Sequence, residues 1–411
     1  ASAVNGDTIT FNGDYTILLA TEIIIDKSVT ITGAGHNVVV SGTHTTRIFN
    51  VSAGSPTFDH LTLTNGSAGY TNCMGDNWKC GGAINVQSGT TAIVTNSTLS
   101  NNSSTDGGGA IAIYWGAVMV ANSTFTGNVD NWQGGAIDSF YGNLTVRNST
   151  FVNNSIVNGY GGAIIQFGGS LTLTNNTFSG NAADRGAGAI DLWWDPTISA
   201  SNNIIANSPR GGNCSASLGG SNNLSSDGTC GVPASSSILL GALGNYGGST
   251  QTLPLLPGSA AIDAGDDAVC AAAPMNNLDQ RGVVRSQGTH CDIGAFESQG
   301  FTFGSPTGSP QSTLINSAFA QPLGLTITAI NANEPVDGGL VTFTAPASGA
   351  STNPAVNSAT IVSGVVAQSV SANGINGGPY SVTASAAGVQ TPLTFELTNT
   401  PYYTYLSIIF R

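Results

Sequence analysis

Apolar positions recur along the chain with a period of 26 or 27 residues. The string Gly-Gly-Ala-Ile, or Ala-Gly-Ala-Ile in the last copy, places an isoleucine in each repeat, at Ile84, Ile111, Ile137, Ile164 and Ile190. A second apolar position follows an Asn by three residues, at Leu99, Phe125, Phe151, Phe178 and Ile205. Between these positions, apolar and polar residues alternate over short segments that end at Gly or Asn. This pattern is typical of short β-strands separated by turns.

A repeat of this length cannot bury its own apolar face, but stacked repeats can. If each repeat forms one coil, every Ile, Leu and Phe lies above its counterpart, and the backbone pairs between coils at about 4.8 Å. Asn residues at the same corner of successive coils can then form a ladder of side-chain amides. They occur at Asn96, Asn122, Asn148, Asn175 and Asn202, and again at Asn102, Asn128, Asn154 and Asn181. The repeat predicts a parallel β-helix over residues 1–297, less regular at both ends.

The remaining chain has a different pattern. Residues 298–312 are rich in Gly, Ser and Pro and predict a linker. Beyond it, alternating runs separated by turn signals, with no helical pattern, predict an immunoglobulin-like β-sandwich over residues 313–400. The predicted fold class is therefore all-β, a parallel β-helix followed by an immunoglobulin-like sandwich.

Residues 401–411 are aromatic and β-branched, and they carry no charge before Arg411. This segment is predicted either to form the last strand of its own sandwich or to insert into a neighbouring subunit by strand addition. In the second case the contact residues are Tyr402, Tyr403, Tyr405, Leu406, Ile408, Ile409 and Phe410. A head-to-tail contact of this kind does not close on itself and generates a filament.

The composition of the chain argues against two classes of function, nucleic-acid binding and membrane spanning. Only 8% of the 411 residues are charged and the net charge is −13, with no basic stripe, which argues against a nucleic-acid partner. The longest β-prone apolar run, residues 402–410, is far shorter than the roughly 20 residues of a membrane-spanning helix. The small residues at positions 1–3 fit the remnant of a removed signal peptide.

The six cysteines lie in three local pairs. We expect the disulfides Cys73–Cys80, Cys214–Cys230 and Cys270–Cys291, and hence an oxidising, extracellular location. Zinc is disfavoured, because the sequence has no Cys-x-x-Cys. No metal or cofactor is predicted.

Carboxylates give little support to catalysis. Asp138 and Asp191 follow the repeat isoleucine two coils apart, hence about 10 Å from each other, and no Lys or Arg shares their column. Solvated surface carboxylates are the favoured interpretation, and no catalytic residue is assigned. Residues 263–267 favour a hydrated turn over a Ca²⁺ site.

Aromatic residues form two columns after the repeat isoleucine. The first holds Tyr114, Phe140, Phe167 and Trp193, and the second holds Trp115, Tyr141, Gly168 and Trp194. Trp78 and Trp132 lie in loops before the Gly-Gly-Ala strings. An exposed aromatic stripe marks a contact surface for glycans or for protein, whereas internal stacking under loops would make it structural. The candidate contact residues are Trp115, Tyr141, Trp194, Trp78 and Trp132.

Several motifs carry a family resemblance. They are Asp7-Thr8-Ile9-Thr10-Phe11, the string NYGGSTQT at residues 245–252, PGSAAIDAG at 257–265, DQRG at 279–282 and CDIGAFE at 291–297. Together they resemble bacterial choice-of-anchor and CSLREA-type surface proteins, related to polymorphic outer-membrane-protein repeats. The resemblance implies a right-handed parallel β-helix on an extracellular protein. Segments after residue 320 are similar to bacterial immunoglobulin-like surface domains.

Three function classes follow from these observations. The favoured one is a non-enzymatic extracellular structural protein that self-assembles into a surface fibre or layer by strand addition. The alternative is an adhesin that binds cell-surface glycans through the aromatic stripe. A polysaccharide lyase or hydrolase is a distant third.

Overall fold

The computed structural model describes residues 3–69 and 80–402. Over the first part of the chain the described strands stack into parallel sheets that run along a β-helix. Sheet 1 has the strands Thr8–Thr10, Thr30–Thr32, Thr57–Asp59, Thr91–Thr95, Ala117–Ala121, Asn143–Arg147, Ser170–Thr174 and Thr197–Ser201. Sheet 2 has Tyr15–Leu18, Val38–Ser41, Leu61–Thr64, Thr98–Ser100, Thr124–Thr126, Thr150–Val152, Thr177–Ser179, Ile204–Ala206 and Leu224–Ser225.

The other two sheets complete each coil. Sheet 3 has Ile23–Ile25, Phe49–Val51, Ile84–Val86, Ile111–Tyr114, Ile137–Phe140, Ile164–Phe167 and Ile190–Trp193. Sheet 4 has the two-residue strands Ser67–Ala68, Ser103–Ser104, Val129–Asp130 and Ser155–Ile156. One helix, Asp267–Ala271, occurs among the described residues.

The register between coils is the one that the repeat predicts. Ile84, Ile111, Ile137, Ile164 and Ile190 are direct neighbours across successive strands, and all are fully buried. Phe125, Phe151 and Phe178 stack in the interior with ring centroids 4.6 and 4.7 Å apart. The predicted parallel β-helix and its phenylalanine column are confirmed.

The predicted amide ladder is also present. The Nδ2 of Asn102 donates to the Oδ1 of Asn128, that of Asn128 to Asn154, and that of Asn154 to Asn181, at 3.0, 2.9 and 3.0 Å. All four side chains are fully buried. Because each amide both donates and accepts, no coil leaves a polar group unpaired at this corner.

Three of the motifs that carry the family resemblance, at residues 245–252, 279–282 and 291–297, cover part of the outer face of sheet 2. Thr124 Oγ1 donates to the carbonyl of Gln251, Thr150 Oγ1 donates to Gln280 Oε1 at 2.7 Å, and Ala295 N donates to Thr177 Oγ1 at 3.0 Å. Two predicted disulfides, Cys214–Cys230 and Cys270–Cys291, are formed. Cys73 lies outside the described residues, so its pairing with Cys80 stays a prediction.

A second compact unit consists of residues 239–241 and 255–262 together with the chain from Ser298 onwards. Its strands form two sheets of a β-sandwich-like region. The smaller sheet has Phe301–Phe303, Leu323–Ala329 and Val365–Gln368. The larger has Gln311–Leu314, Leu393–Thr400, Gly377–Ser385, Leu340–Thr344 and Val356–Thr360.

The predicted linker is wrong. Residues 298–312 contribute the strand Phe301–Phe303 and the start of Gln311–Leu314, which pair with Leu323–Ala329 and Leu393–Thr400 respectively. The buried ring of Phe301 is part of the core of this unit. The Gly and Pro residues that suggested a linker lie mainly between these two strands, where they form the connection.

Candidate functional site

The aromatic columns lie at one corner of the β-helix, where the strands of sheet 3 end. The last residues of Ile111–Tyr114, Ile137–Phe140, Ile164–Phe167 and Ile190–Trp193 are side by side in register. The residue after each of these strands begins the corner. We call the aromatic residues of both columns the aromatic platform: Tyr114, Trp115, Phe140, Tyr141, Phe167, Trp193 and Trp194.

The rings of the platform contact one another across the coils. Trp115 stacks on Tyr141, with ring centroids 4.5 Å apart and planes inclined by 13°, and Tyr141 lies 5.7 Å from Trp194. In the neighbouring column Phe140 and Phe167 both contact Trp194, at 5.6 and 5.0 Å. Such pairs contribute about 0.5–1.5 kcal/mol each beyond their buried area. The platform is therefore one continuous aromatic surface.

Four rings of the platform are exposed to solvent. Trp115 is 51% exposed, Tyr141 38%, Trp193 37% and Trp194 54%, whereas Phe167 is 5% exposed. The strands end before the corner residues, so the side chains of both columns lie on the outer side of the β-helix. The rings of the second column partly cover those of the first, as Trp194 does for Phe140 and Phe167. The structure thus brings together three of the five aromatic residues predicted as contacts.

The corner residues have an unusual backbone conformation. Trp115, Tyr141 and Trp194 have φ values of 51°, 50° and 61°, in the left-handed region. A bulky residue held there costs roughly 1–3 kcal/mol, whereas Asn and Gly adopt it easily. The corner between sheets 1 and 2 uses Asn for the same turn, for example Asn122 and Asn175 with φ values of 49° and 53°. The aromatic side chains are therefore present despite a backbone cost.

Gly168 completes the corner column between Tyr141 and Trp194. Its φ is 53°, and a Cβ atom at this position would lie 2.7 Å from Cε1 of Tyr141. The missing side chain lets the Tyr141 ring extend over this coil and reach Trp194. A residue that breaks the aromatic column in the sequence therefore makes the surface continuous in the structure.

Two further aromatic residues flank the platform on loops. Trp132 is 43% exposed, and the guanidinium of Arg185 lies 5.5 Å from its ring centroid. Tyr160 contacts the edge of Trp193 at 5.1 Å. Trp78, the remaining predicted contact, lies outside the described residues.

Asp138 and Asp191 are not the solvated carboxylates that the sequence suggested. They are 0% and 2% exposed, and the loop that precedes Ile190 packs on Asp191. At Gly186, a Cβ atom would collide with Asp191 Oδ2. Asp191 accepts the indole N–H of Trp193 at 3.0 Å and the Ala187 N–H at 2.8 Å. It is a positioning residue that fixes one ring of the platform to the adjoining loop.

Asp130 positions the loop that carries Trp132. Its Oδ1 accepts the backbone N–H groups of Trp132 and Gln133 at 2.6 and 2.7 Å. The side chain is fully buried, and its Oδ2 has no hydrogen-bond partner among the described residues. Burial raises the pKa of Asp130 to about 7, against the two backbone hydrogen bonds and with the help of the nearby Asp138 and Asp106 carboxylates.

The replacement Asp130→Asn should stabilise the protein at pH 8. The folded-state pKa of about 7 lies above the ordinary value of 3.8, so the folded state retains a proton that the unfolded state loses. Stability therefore falls as the pH rises from about 4 to about 7. Asn keeps the acceptor for Trp132 and Gln133 without this charge, and we expect a gain of roughly 1–4 kcal/mol at pH 8 that vanishes near pH 4. Urea unfolding at both pH values measures it, and an equal gain at both would contradict the explanation.

Comparison with known proteins agrees with this fold. Residues 23–207 match the family model of right-handed β-helix regions. The matched segment contains the whole aromatic platform, and the coils of this family are right-handed. No curated protein and no solved structure matches the chain.

Carboxylates lie beside the rings of the platform. Within residues 3–69 and 80–402, no group of three or more His, Cys, Asp or Glu side chains is placed to hold a metal ion. Asp191 is buried and accepts the indole N–H of Trp193 and the backbone N–H of Ala187, whereas Asp195, directly after Trp194, is exposed. What the platform offers a ligand is the exposed parts of the rings of Trp115, Tyr141, Trp193 and Trp194.

The predicted subunit contacts fall almost entirely outside the described residues. Only Tyr402 is described, and its side chain is exposed. Strand exchange by Tyr403, Tyr405, Leu406, Ile408, Ile409 and Phe410 stays a prediction. The described residues contain no helix long and apolar enough to cross a membrane.

Proposed function

We propose that this chain is an extracellular, non-enzymatic β-helix protein that binds polysaccharides on its aromatic platform. The observation that carries the proposal is the left-handed backbone at Trp115, Tyr141 and Trp194. Asn or Gly would make the same turn at lower cost. Strain of this kind persists where the side chain serves a function.

The shape of the platform suits a sugar chain. Pyranose rings have apolar C–H faces that pack on aromatic rings, while their hydroxyl groups remain hydrated at the edges. The exposed rings follow one another along the coil axis at centroid distances of 4.5 and 5.7 Å, with Tyr141 stacked between Trp115 and Trp194. They form a narrow strip longer than one sugar ring. A polymer that lies along the coils would contact all three.

A protein partner would need more than this strip. Stable protein interfaces bury about 800 Å² on each side and combine aromatic anchors with a surrounding rim. Three of the exposed rings, Trp115, Tyr141 and Trp194, form a single file, and the neighbouring column adds the exposed ring of Trp193. A protein partner is therefore the less favoured occupant.

Two further observations support the location. The disulfides Cys214–Cys230 and Cys270–Cys291 are typical of proteins that mature in an oxidising compartment. The DQRG and CDIGAFE motifs resemble those of bacterial surface proteins. A polysaccharide on or between cell surfaces is the ligand that such a location makes accessible.

Affinity electrophoresis in gels that contain soluble polysaccharides tests the proposal. A panel of β-glucans, xylan, mannan and soluble chitin derivatives should include at least one that retards the wild-type protein. The double variant Trp115→Gly, Trp194→Gly should lose retardation, with affinity reduced at least about ten-fold, equivalent to about 1.4 kcal/mol. Its free energy of unfolding should change by less than about 1 kcal/mol, because glycine relieves backbone strain as the ring contacts are lost.

Tyr15→Ala is the matched control, since Tyr15 is 45% exposed in the first coil, away from the platform. It should be retarded like the wild type. Equal retardation of the double variant and the control would refute the platform as the binding surface. A wild type that none of the polymers retards would refute the ligand class.

A further inference from the structure

A second candidate site lies at the corner between sheets 1 and 2, in the N-terminal coils of the β-helix. It is an open cleft of about 390 Å³, within the usual range of small-ligand sites. Its lining includes His36, Asn37, His60, Thr62, Thr98 and Ser249. We call it the corner cleft.

Unequal corner lengths build the cleft. Residues 33–37 connect Thr30–Thr32 to Val38–Ser41, whereas His60 alone connects Thr57–Asp59 to Leu61–Thr64 in the next coil. The longer connection forms one wall, which Asp14 fastens by accepting the Asn37 N–H at 2.8 Å. The opposite rim is Ser249, where the segment that covers Thr124 ends.

Asp59 holds the histidine of the cleft in one orientation. The Asp59 carboxylate accepts from His60 Nδ1 at 2.8 Å, and also from Thr32 Oγ1, Thr95 Oγ1 and Asn96 Nδ2 at 2.8–2.9 Å. Burial alone would raise the pKa of Asp59, but these hydrogen bonds outweigh burial and lower it. The ionised carboxylate therefore fixes the proton on Nδ1 of His60 and leaves Nε2 for a ligand.

The floor of the cleft presents hydroxyl groups in register. Thr62 and Thr98 are direct neighbours on adjacent strands, hence about 4.8 Å apart. Their side chains point outward and are partly exposed. Farther along sheet 2, the equivalent Thr124 and Thr150 are covered and hydrogen-bonded to the overlying segments. The two threonines in the cleft are the uncovered members of the same column.

The side chains that line the corner cleft favour some classes of ligand over others. It includes no Lys or Arg, which disfavours phosphate and other anions. Among the described residues, no group of three or more His, Cys, Asp or Glu side chains is placed to hold a metal ion here either. Its hydroxyl, amide and imidazole groups combine donors with acceptors, and this mixture matches vicinal hydroxyl groups.

We propose that the corner cleft binds a single neutral sugar ring, with Thr62, Thr98 and His60 as its hydrogen-bonding residues. This site is separate from the aromatic platform and does not depend on it. The chain would then contact carbohydrate in two modes, along a polymer at the platform and at one ring in the cleft.

The four histidines make the test direct, because long-range ¹H–¹⁵N spectra resolve each imidazole. Titration of the full chain with glucose, galactose, mannose, xylose and N-acetylglucosamine, each to about 50 mM, covers the weak range expected of single rings. At least one sugar should shift the Nε2 signal of His60, and that of His36 on the facing wall, while His290 stays fixed.

The double variant Thr62→Val, Thr98→Val should weaken this binding at least about ten-fold, because it removes both hydroxyl groups with little change of shape. Thr172→Val, on the outer face of sheet 1, is the matched control and should bind like the wild type. Absence of a His60 shift with every sugar, or unchanged affinity of the double valine variant, would overturn the proposal. The variant Trp115→Gly, Trp194→Gly should retain the His60 shift, so a failure of the platform is distinguishable from a failure of the cleft.

Discussion

Replacement of Phe151 by Ala should lower the free energy of unfolding by about 3–5 kcal/mol, the usual cost of truncating a buried phenylalanine. Its ring is fully buried between Phe125 and Phe178, with centroid distances of 4.6 and 4.7 Å. Truncation opens a cavity and interrupts the column on both sides. Because each coil contacts only its neighbours, the coils above and below lose their shared core at the same point.

Chemical denaturation followed by circular dichroism measures this effect. Phe151→Leu is the control, since it keeps most of the volume and should cost less than about 1.5 kcal/mol. A loss below about 1 kcal/mol for Phe151→Ala would mean that the column does not form the core of the β-helix.

Replacement of Arg285 by Met should destabilise the protein by a similar amount, about 3–5 kcal/mol. Arg285 and Glu297 are buried and paired at 3.2 Å, and Arg285 also donates to the carbonyls of Asp292 and Gly294 at 2.9 and 2.7 Å. Burial raises the pKa of Glu297, and Arg285 opposes this. Without the guanidinium, Glu297 remains as a buried charge, or is protonated, beneath the segment that covers sheet 2.

Arg210→Met is the matched control, because Arg210 pairs with Asp184 at the surface. Exposed pairs contribute only about 0–1 kcal/mol, and the same denaturation assay compares the two variants. Similar costs for the two would mean that the CDIGAFE segment, which ends at Glu297, does not depend on its buried ion pair.

The sequence predicts the features that repeat once per coil. The spacing of Ile111, Ile137 and Ile164 sets the register, and with the register come the phenylalanine column and the ladder of Asn102, Asn128 and Asn154. These positions can be predicted because each is compared with the equivalent residue of every other repeat. The aromatic columns can be predicted from the sequence for the same reason.

Features that depend on the path of an irregular segment cannot be predicted from the sequence, because such a segment has no repeated copy for comparison. Asp191 is in contact with the loop that precedes Ile190, and nothing in the composition of that loop indicates that it packs on this residue. The role of Asp130 is visible only once its backbone partners are known. His60 does leave a signal, since it replaces Asn in the corner column directly after Asp59, but its cleft also requires the longer corner at residues 33–37.

The central claim is that a polysaccharide lies on the aromatic platform, and hydroxyl-radical footprinting of the wild-type protein tests it most directly. The protein is oxidised with and without the polymer that retards it most, and oxidation of each Trp and Tyr is quantified by mass spectrometry. We expect protection of Trp115, Tyr141 and Trp194, with Tyr15 oxidised equally in both samples. Protection elsewhere on the chain, with these three rings as reactive as before, would contradict it.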